Sequence, residues 1–221
     1  MIKLSKRLEY EFNEIPNDTN IICDVGCDHG KVIVKSIIEN KAKTGIAIDI
    51  SKDSLNKAIL LSQKYNCYEK ISFLNCYGLY DVSSICDYTI ISGIGGNEIS
   101  NILKEGYQKS KKFLICPHSD VITVRKTINL LKLNCEYETI VFDKKFYVFL
   151  HIDTNKSVVK TYNDDQIYLG KFKSIDENVT NYYENRNMQL KKFVVSNINK
   201  IDKELLKEYE VLDGILNKRC N

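Results

Sequence analysis

The stretch IICDVGCDHGKV (residues 21–32) joins an apolar run to a polar turn that contains glycine. The run ends in Asp24, Gly26 follows two residues later, and Asp28 and His29 come next. In an open parallel sheet, ligands bind beyond the carboxyl ends of the strands, where the strand order reverses. If IIC is the first strand, residues 24–29 lie at that edge, and Gly26 allows a positive φ and the close approach of a ligand.

Short apolar runs alternate with segments of helical length over the first 132 residues. Five runs predict strands: NIICD (20–24), TGIAIDI (44–50), KISFLNC (70–76), YTIISG (88–93) and KFLICP (112–117). Helices are predicted over 29–40, from Ser51 as the N-cap, over about 97–106 and over 119–132. Apolar strands separated by helices indicate an α/β fold, in which a parallel sheet is covered on both faces.

The pattern changes in the last third of the chain. CEYETIVFD (135–143) and KKFYVFLHID (144–153) predict an antiparallel hairpin that closes the sheet. From about residue 160, apolar residues follow one another at spacings of three and four, which predicts a helical hairpin or short coiled coil with its turn at SNINK (196–200). Its seam is formed by Phe172, Ile175, Val179, Tyr182, Ile198, Ile201 and Leu205. We therefore expect a domain at 1–159 and a helical domain at 160–221.

Composition favours a cytoplasmic protein without a metal site, and it does not by itself indicate a partner. A net charge of +3 from 32 basic and 29 acidic residues does not by itself indicate a nucleic-acid partner. The 8 cysteines contain no CxxC pair, so we expect buried thiols and no metal. There is no signal-peptide core and no apolar run of membrane-spanning length, which favours a cytoplasmic protein without a membrane partner.

The polar turn favours a cationic ligand. A dinucleotide site would need GxGxxG around a pyrophosphate, but here acidic residues flank Gly26, which disfavours a nicotinamide oxidoreductase. S-adenosylmethionine carries an ammonium and a sulfonium and no phosphate. Asp24 is placed to hold the ammonium, and Asp49, at the end of the second strand, to accept the ribose hydroxyls. The alternative is that both acids only cap helix or strand ends.

A second glycine-rich turn, SGIGGNEI (92–99), follows the fourth strand and contains Gly93, Gly95 and Gly96. It is either a plain strand-to-helix connection or the place where the transferred methyl group meets its acceptor. In the second case, bare backbone leaves room for a planar base.

Together these stretches resemble the bacterial tRNA (adenine(22)-N1)-methyltransferases over essentially the whole chain. The resemblance is carried by LSKRL (4–8), EIPN (14–17), CDVGCDHGK (23–31), IAIDI (46–50), YGL (77–79), ISGIGGNEI (91–99), ICPHSDVITVRK (115–126) and YLGKF (168–172). It implies a Rossmann-like class I methyltransferase domain with a coiled-coil C-terminal part. It also implies S-adenosyl-L-methionine as methyl donor and, as acceptor, N1 of an adenine in the D-arm region of tRNA.

The resemblance also implies roles for individual residues. Asp28, beside His29, falls on the acid proposed to act in catalysis. Residues implied in cofactor binding are Arg7, Asp24, Gly26, Asp49, Ile50, Tyr77, Gly78, Gly93, Ile94 and Gly95. Residues expected to bind substrate are Gly96, Pro117, His118 and Arg125. We expect a monomer.

Two departures from the family pattern bear on these roles. Tyr77 stands where the family usually has an acid that reads the cofactor's adenine amino group, and His118 replaces the usual Asn after Pro117. A methyltransferase with another RNA or small-molecule acceptor, and a non-catalytic RNA-binding scaffold, are therefore the alternative functions. His29 has two possible roles: a general base in catalysis, or a side chain that forms a hydrogen bond to the backbone at the start of a helix.

Overall fold

Seven strands form a single sheet in the computed structural model, which describes residues 2–156, 159–196 and 202–219. The strands are β1 Thr19–Val25, β2 Ala42–Ile48, β3 Ile71–Leu74, β4 Tyr88–Ser92, β5 Lys112–Cys116, β6 Asn134–Asp143 and β7 Lys145–Asp153. The helices are α1 Lys6–Glu14, α2 Lys31–Ile38, α3 Lys52–Lys64, α4 Gly96–Gly106, α5 Val121–Leu130, α6 Asp164–Leu169, α7 Glu177–Ser196 and α8 Lys203–Arg219. The order of strands is β3-β2-β1-β4-β5-β7-β6.

The first five strands are parallel, and β7 is antiparallel to both β5 and β6. Every residue of β4 is buried, as expected for a central strand with helices on both faces. The predicted parallel sheet and its closing hairpin are therefore confirmed. The strand order reverses between β1 and β4, so the carboxyl ends of these two strands form the switch point at which such sheets bind ligands.

Helices α2 to α5 lie close to where the sequence predicted them, whereas α1 was not predicted. The Ser51 hydroxyl accepts a hydrogen bond from the backbone of Ser54 and caps α3. Helices α2 and α5 each begin two residues later than predicted, because Gly30 and Asp120 adopt the left-handed conformation immediately before them. No helix in the described ranges is long and apolar enough to cross a membrane.

The C-terminal helices continue the core of the sheet. Val179, Tyr183 and Leu190 of α7 and Leu212 of α8 are buried in the same apolar cluster as β4, β5 and α5. The predicted seam was partly wrong, because Phe172 and Ile175 precede α7, and Tyr183 and Leu190, not Tyr182, are its buried residues besides Val179.

Helices α7 and α8 pack against each other, joined by a bidentate pair in which Arg186 donates to Glu208 at 2.6 and 2.7 Å. Of the predicted turn at 196–200, Ser196 is the last residue of α7, and the rest, together with the seam residues Ile198 and Ile201, lies outside the described residues. Coiled-coil geometry and the boundary at 159 stay predictions.

Arg125 joins α5 to the C-terminal part of the chain. Its guanidinium donates to the two carboxylate oxygens of Glu138 at 3.0 and 2.6 Å, and to the carbonyls of Ile167 and Tyr168. Both side chains of the ion pair have 0% exposure. A side chain with no accessible surface cannot contact a substrate, so the prediction that Arg125 binds substrate was wrong. Arg125 instead links α5 to β6 and α6.

Candidate active site

A cavity of about 420 Å³ opens at the carboxyl ends of β1, β2 and β4. Its volume is within the range of small-molecule sites. Residues predicted for cofactor binding and catalysis that line it are Arg7, Asp24, Gly26, Asp28, His29, Asp49, Ile50, Tyr77, Gly78, Gly93 and Ile94. Gly95 does not line the cavity but is the N-cap of α4 beside it. The fold thus brings together residues from five separate segments of the chain.

The turn after β1 requires its glycine. Gly26 has φ +76°, and a Cβ at this position would lie 2.9 Å from the carbonyl oxygen of Ser92. The backbone amides of Gly26 and Cys27 both donate to the carbonyl of Ile48, which ties this turn to the end of β2. The residues that follow β1 therefore contact the ends of both neighbouring strands, β2 and β4. Because Gly26 has no side chain, the backbone can turn there without a clash.

Asp24 is only 5% exposed at the end of β1. Burial, and then the negative charge of Glu11, raise the pKa of its carboxyl to about 8, although Arg7 opposes the shift. Asp49 and Asp28 add to the negative potential around it. A cation in the cavity would relieve this potential, so this end of the site is suited to a positively charged ligand group.

Glu11 and Ser92 belong to the site, although sequence reasoning missed them. The Ser92 hydroxyl donates to Glu11 Oε1 at 2.6 Å, and Arg7 Nη1 donates to the same oxygen at 2.8 Å and to the Ser92 hydroxyl. Glu11 is 2% exposed, and burial raises its pKa. The one available signal was the i, i+4 spacing of Arg7 and Glu11 on a helix, which is too common to mark a site.

Asp49 accepts hydrogen bonds from two backbone amides beside the cavity. Its Oδ1 accepts from the amide of Ser51 at 2.8 Å, and its Oδ2 from the amide of Asp28 at 3.0 Å. The capping alternative is therefore part of its role. A carboxylate oxygen has two acceptor positions, so both oxygens can still accept a ligand hydroxyl.

Asp28 and His29 lie at the rim of the cavity. The Asp28 side chain is 72% exposed, and its Oδ1 is 3.4 Å from Nε2 of His29. The same ring nitrogen is 3.3 Å from the ammonium of Lys57 on α3. Asp28 has φ +49°, a conformation that Asp and Asn adopt more readily than most residues. The carboxylate is thus presented to solvent beside the open side of the cavity.

The opposite end of the cavity has no acid at position 77. The Tyr77 hydroxyl donates to the carbonyl of Glu98 at 3.3 Å, and the residue is 41% exposed. Ile50, at 73% exposure, borders the same region. Glu98, which was not predicted, also lines the cavity, and a Cβ at Gly95 would lie 2.4 Å from its carboxylate oxygen Oε2.

The predicted substrate residues separate into two groups. Pro117 and His118 line a second cavity of about 810 Å³ between the loop after β5, the tip of the β6–β7 hairpin and helices α7 and α8. The His118 amide donates to the carbonyl of Ile94, which lines the first cavity, so the two cavities are neighbours.

Gly96, by contrast, is buried beneath the loop after β5, where a Cβ would lie 2.2 Å from the carbonyl oxygen of Asp120. The prediction that Gly96 binds substrate is corrected, because its role is close packing.

Metal chemistry has no support among the described residues, where no group of three or more His, Cys, Asp or Glu side chains could hold an ion. The seven described cysteines are free thiols, and six of them are buried. Burial raises the pKa of Cys27, which lines the cavity, so it is not an activated nucleophile.

Comparison with known proteins agrees with this geometry. A family model described as a methyltransferase domain matches residues 4–150. The structure of M. capricolum TrmK in complex with S-adenosyl-homocysteine has a TM-score of 0.81 and 27% identity, and the match covers 98% of this chain and 96% of that one. The B. subtilis M1A22 tRNA methyltransferase TrmK has a TM-score of 0.84 and 22% identity, with 97% and 99% coverage.

A Mycoplasma pneumoniae protein, named provisionally as a tRNA methyltransferase, is 27% identical over 148 residues, which are 66% of this chain and 70% of that protein. The resemblance to the bacterial tRNA (adenine(22)-N1)-methyltransferases, inferred from motifs, is thus confirmed by matches that include the C-terminal helices. Three observations agree: the sheet has its switch point at β1 and β4, the cavity at that point contains buried acids, and the family model matches about two thirds of the chain. The chain therefore belongs to the methyltransferase-domain family.

Proposed function

We propose that this protein transfers a methyl group from S-adenosyl-L-methionine to N1 of adenine 22 in the D-arm region of tRNA, acting as a monomer in the cytoplasm. The observation that carries the proposal is the cavity at the switch point, where a nearly buried carboxylate, Asp24, lies at one end and the open Gly93 turn borders the space. The similarity to TrmK structures along the whole chain supports the choice of acceptor.

The residues of the cavity fit this cofactor. Asp24 would hold the ammonium group, and Asp49 the ribose hydroxyls through the acceptor positions that its backbone contacts leave free. The adenine would lie toward Gly78, Ile50 and Tyr77. When bound, S-adenosylmethionine supplies an electrophilic methyl group attached to a sulfonium.

The acceptor needs little proton chemistry. N1 of adenine has an in-plane lone pair and no proton, so methyl transfer is an in-line displacement that depends mainly on positioning. We propose that Asp28 accepts a hydrogen bond from the exocyclic amine of the target base and offsets the positive charge that appears on the product. Gly93, where a Cβ would meet nothing within 4 Å, leaves space for a planar base beside the cavity.

The tRNA must present its Watson–Crick edge, so the target adenine is unpaired or flipped out of its stack. We propose that the flanking strand lies over the second cavity. Lys144 and Lys145 at the hairpin tip form no ion pair with any described residue, and Lys145 Nζ is 3.4 Å from His118 Nδ1. The other basic residue of this surface, Arg186, is neutralised by Glu208.

The test is methyl transfer from labelled S-adenosylmethionine to unmodified tRNA, with the modified site mapped by reverse-transcription stops. A stop at adenine 22, which disappears in a tRNA that carries guanine there, is the expected result. Binding of S-adenosylhomocysteine without transfer to tRNA would contradict the acceptor. The absence of cofactor binding would contradict the enzyme altogether and favour an RNA-binding scaffold.

A further inference from the structure

Helix α1 carries a buried carboxylate into the wall of the cavity. Glu11 is 2% exposed, and one of its oxygens accepts hydrogen bonds from both Arg7 and Ser92. Ser92 is the last residue of β4, so the contact joins the N-terminal helix to the end of a central strand, 81 positions away in sequence. A buried carboxylate costs free energy unless it is compensated, which makes its presence beside a ligand cavity informative.

Several contacts fix Arg7, but two of its guanidinium nitrogens have no hydrogen-bond partner among the described residues. Its Nη1 is occupied by Glu11 and Ser92, its backbone amide donates to Asp143 at 3.1 Å, and its guanidinium lies 5.5 Å from the ring centre of Tyr147. Among the described residues, its Nε and Nη2 have no hydrogen-bond partner, and the side chain lines the cavity. A fixed guanidinium with a free edge is suited to a carboxylate.

The charges at this end of the cavity favour a zwitterion. Glu11 and Asp24 contribute two carboxylates, and Arg7 contributes one cation. A ligand with an ammonium beside a carboxylate would place its cation at Asp24 and its anion at the free edge of Arg7. An α-amino acid has this arrangement, and S-adenosylmethionine ends in one.

We propose that Glu11 is a positioning residue for the amino-acid end of the cofactor: with Ser92 it fixes Nη1 of Arg7, so that the rest of the guanidinium receives the α-carboxylate. The proposal rests on the proposed cofactor and extends it to residues that do not touch the reacting atoms.

The arrangement has a pH signature. The groups that act on Asp24 are Glu11, Asp49 and Asp28, which raise its pKa, and Arg7, which lowers it. Because the ammonium prefers the ionised carboxylate, cofactor affinity should rise with pH and level off above about pH 8, the midpoint at which half of Asp24 is ionised without ligand. Removal of the Glu11 charge lowers the pKa of Asp24 and moves this midpoint to lower pH.

The experiment measures the dissociation constant of S-adenosylhomocysteine calorimetrically with the full chain, from about pH 6 to about pH 9. Glu11→Ala should bind about tenfold more weakly at the alkaline end, since a hydrogen bond to a charged group is lost. Its kcat at saturating cofactor should stay within about twofold of the wild type, since this effect is on binding. Glu11→Gln, which keeps an acceptor oxygen, should lose less affinity but show the same acid shift of the midpoint.

Glu9→Gln, an exposed residue of the same helix, is the matched control and should change neither quantity. Should Glu11→Ala fail to fold, Ser92→Ala removes one of the two donors to Glu11 and should weaken binding about threefold. Binding within about twofold of the wild type and an unmoved midpoint in the folded Glu11 variants would overturn the proposal alone. No binding by the wild type would overturn the proposed function with it.

Discussion

Among single residues, Asp28 is the one whose change should lower the rate of methyl transfer without affecting cofactor binding. Asp28→Asn keeps the shape and tolerates φ +49°, whereas alanine would add backbone strain. We expect the variant to fold and to bind S-adenosylhomocysteine normally, but to lose about 100-fold in kcat, because an amide does not offset the charge on the methylated base. Single-turnover transfer to tRNA measures this, with Asp53→Asn as the control on an exposed acid. An unchanged kcat would remove Asp28 from the mechanism.

Asp24 should destabilise the protein in the absence of ligand. Its pKa is about 8 in the folded state, against an ordinary value of 3.8, so the folded state retains a proton that the unfolded state has lost. Between these pH values stability falls as pH rises, by at most about 1.4 kcal/mol per pH unit from this group.

Asp24→Asn should therefore melt at a higher temperature than the wild type, with a difference that grows from pH 5 to pH 8, while it loses cofactor binding. Thermal unfolding followed by circular dichroism checks the trend. A constant difference across this range would mean that Asp24 ionises normally.

At the scale of elements, two glycines should respond in opposite ways to alanine. Gly93 begins the turn after β4 with φ +75° and open space around it, so Gly93→Ala should cost about 1 kcal/mol of stability and place a methyl group beside the cavity. Its kcat/KM for tRNA should fall about tenfold, because the space for the base is reduced.

Gly214 lies on the exposed side of α8 with nothing near it, so Gly214→Ala should stabilise the protein by about 0.5 to 1 kcal/mol and leave catalysis unchanged. Urea unfolding and kinetics on both variants test the contrast. Equal effects on kcat/KM would show that the Gly93 turn is only a connection.

At the scale of the whole molecule, the Arg125–Glu138 pair should hold the C-terminal part of the chain against the sheet. Arg125→Met leaves Glu138 buried without its cation and frees the carbonyls of Ile167 and Tyr168. The expected loss is about 3 to 5 kcal/mol in urea unfolding.

Lys126→Met is the matched control, since its ion pair with Glu204 is about half exposed and should contribute less than about 1 kcal/mol. Similar losses in both variants would show that burial of Arg125 has no special role.

The surface around the second cavity should determine the affinity for tRNA. The double variant Lys144→Ala, Lys145→Ala should raise the KM for tRNA about tenfold at low salt and flatten its salt dependence, because fewer counterions are released on binding. Binding of S-adenosylhomocysteine should not change. The control is Lys43→Ala, Lys64→Ala, which removes the same charge from other exposed positions. Identical salt slopes for all three proteins would place the tRNA elsewhere.

Local sequence patterns were enough to predict the seven strands, helices α2 to α5, the closing hairpin and the edge at which the cavity lies, but not helix α1, which carries Arg7 and Glu11. These features follow from local rules: apolar runs form buried strands, glycine permits the turn at Gly26, and the ends of parallel strands meet at one edge. For that reason the sequence predicts that Asp24, Asp28, Asp49 and Gly93 lie together, and the structure brings all four to the same cavity.

Which polar residues are buried, and what they contact, depends on packing between segments that are distant in sequence. Nothing local to Glu11 indicates that it contacts Ser92, and nothing local to Arg125 distinguishes a surface cation from the partner of a buried Glu138. Likewise, the face that α7 buries depends on the elements that it meets, which is why Tyr183 and not Tyr182 is the residue buried in it. Periodicity specifies that a helix has an apolar face, but burial and charge compensation are set by neighbours that are distant in sequence.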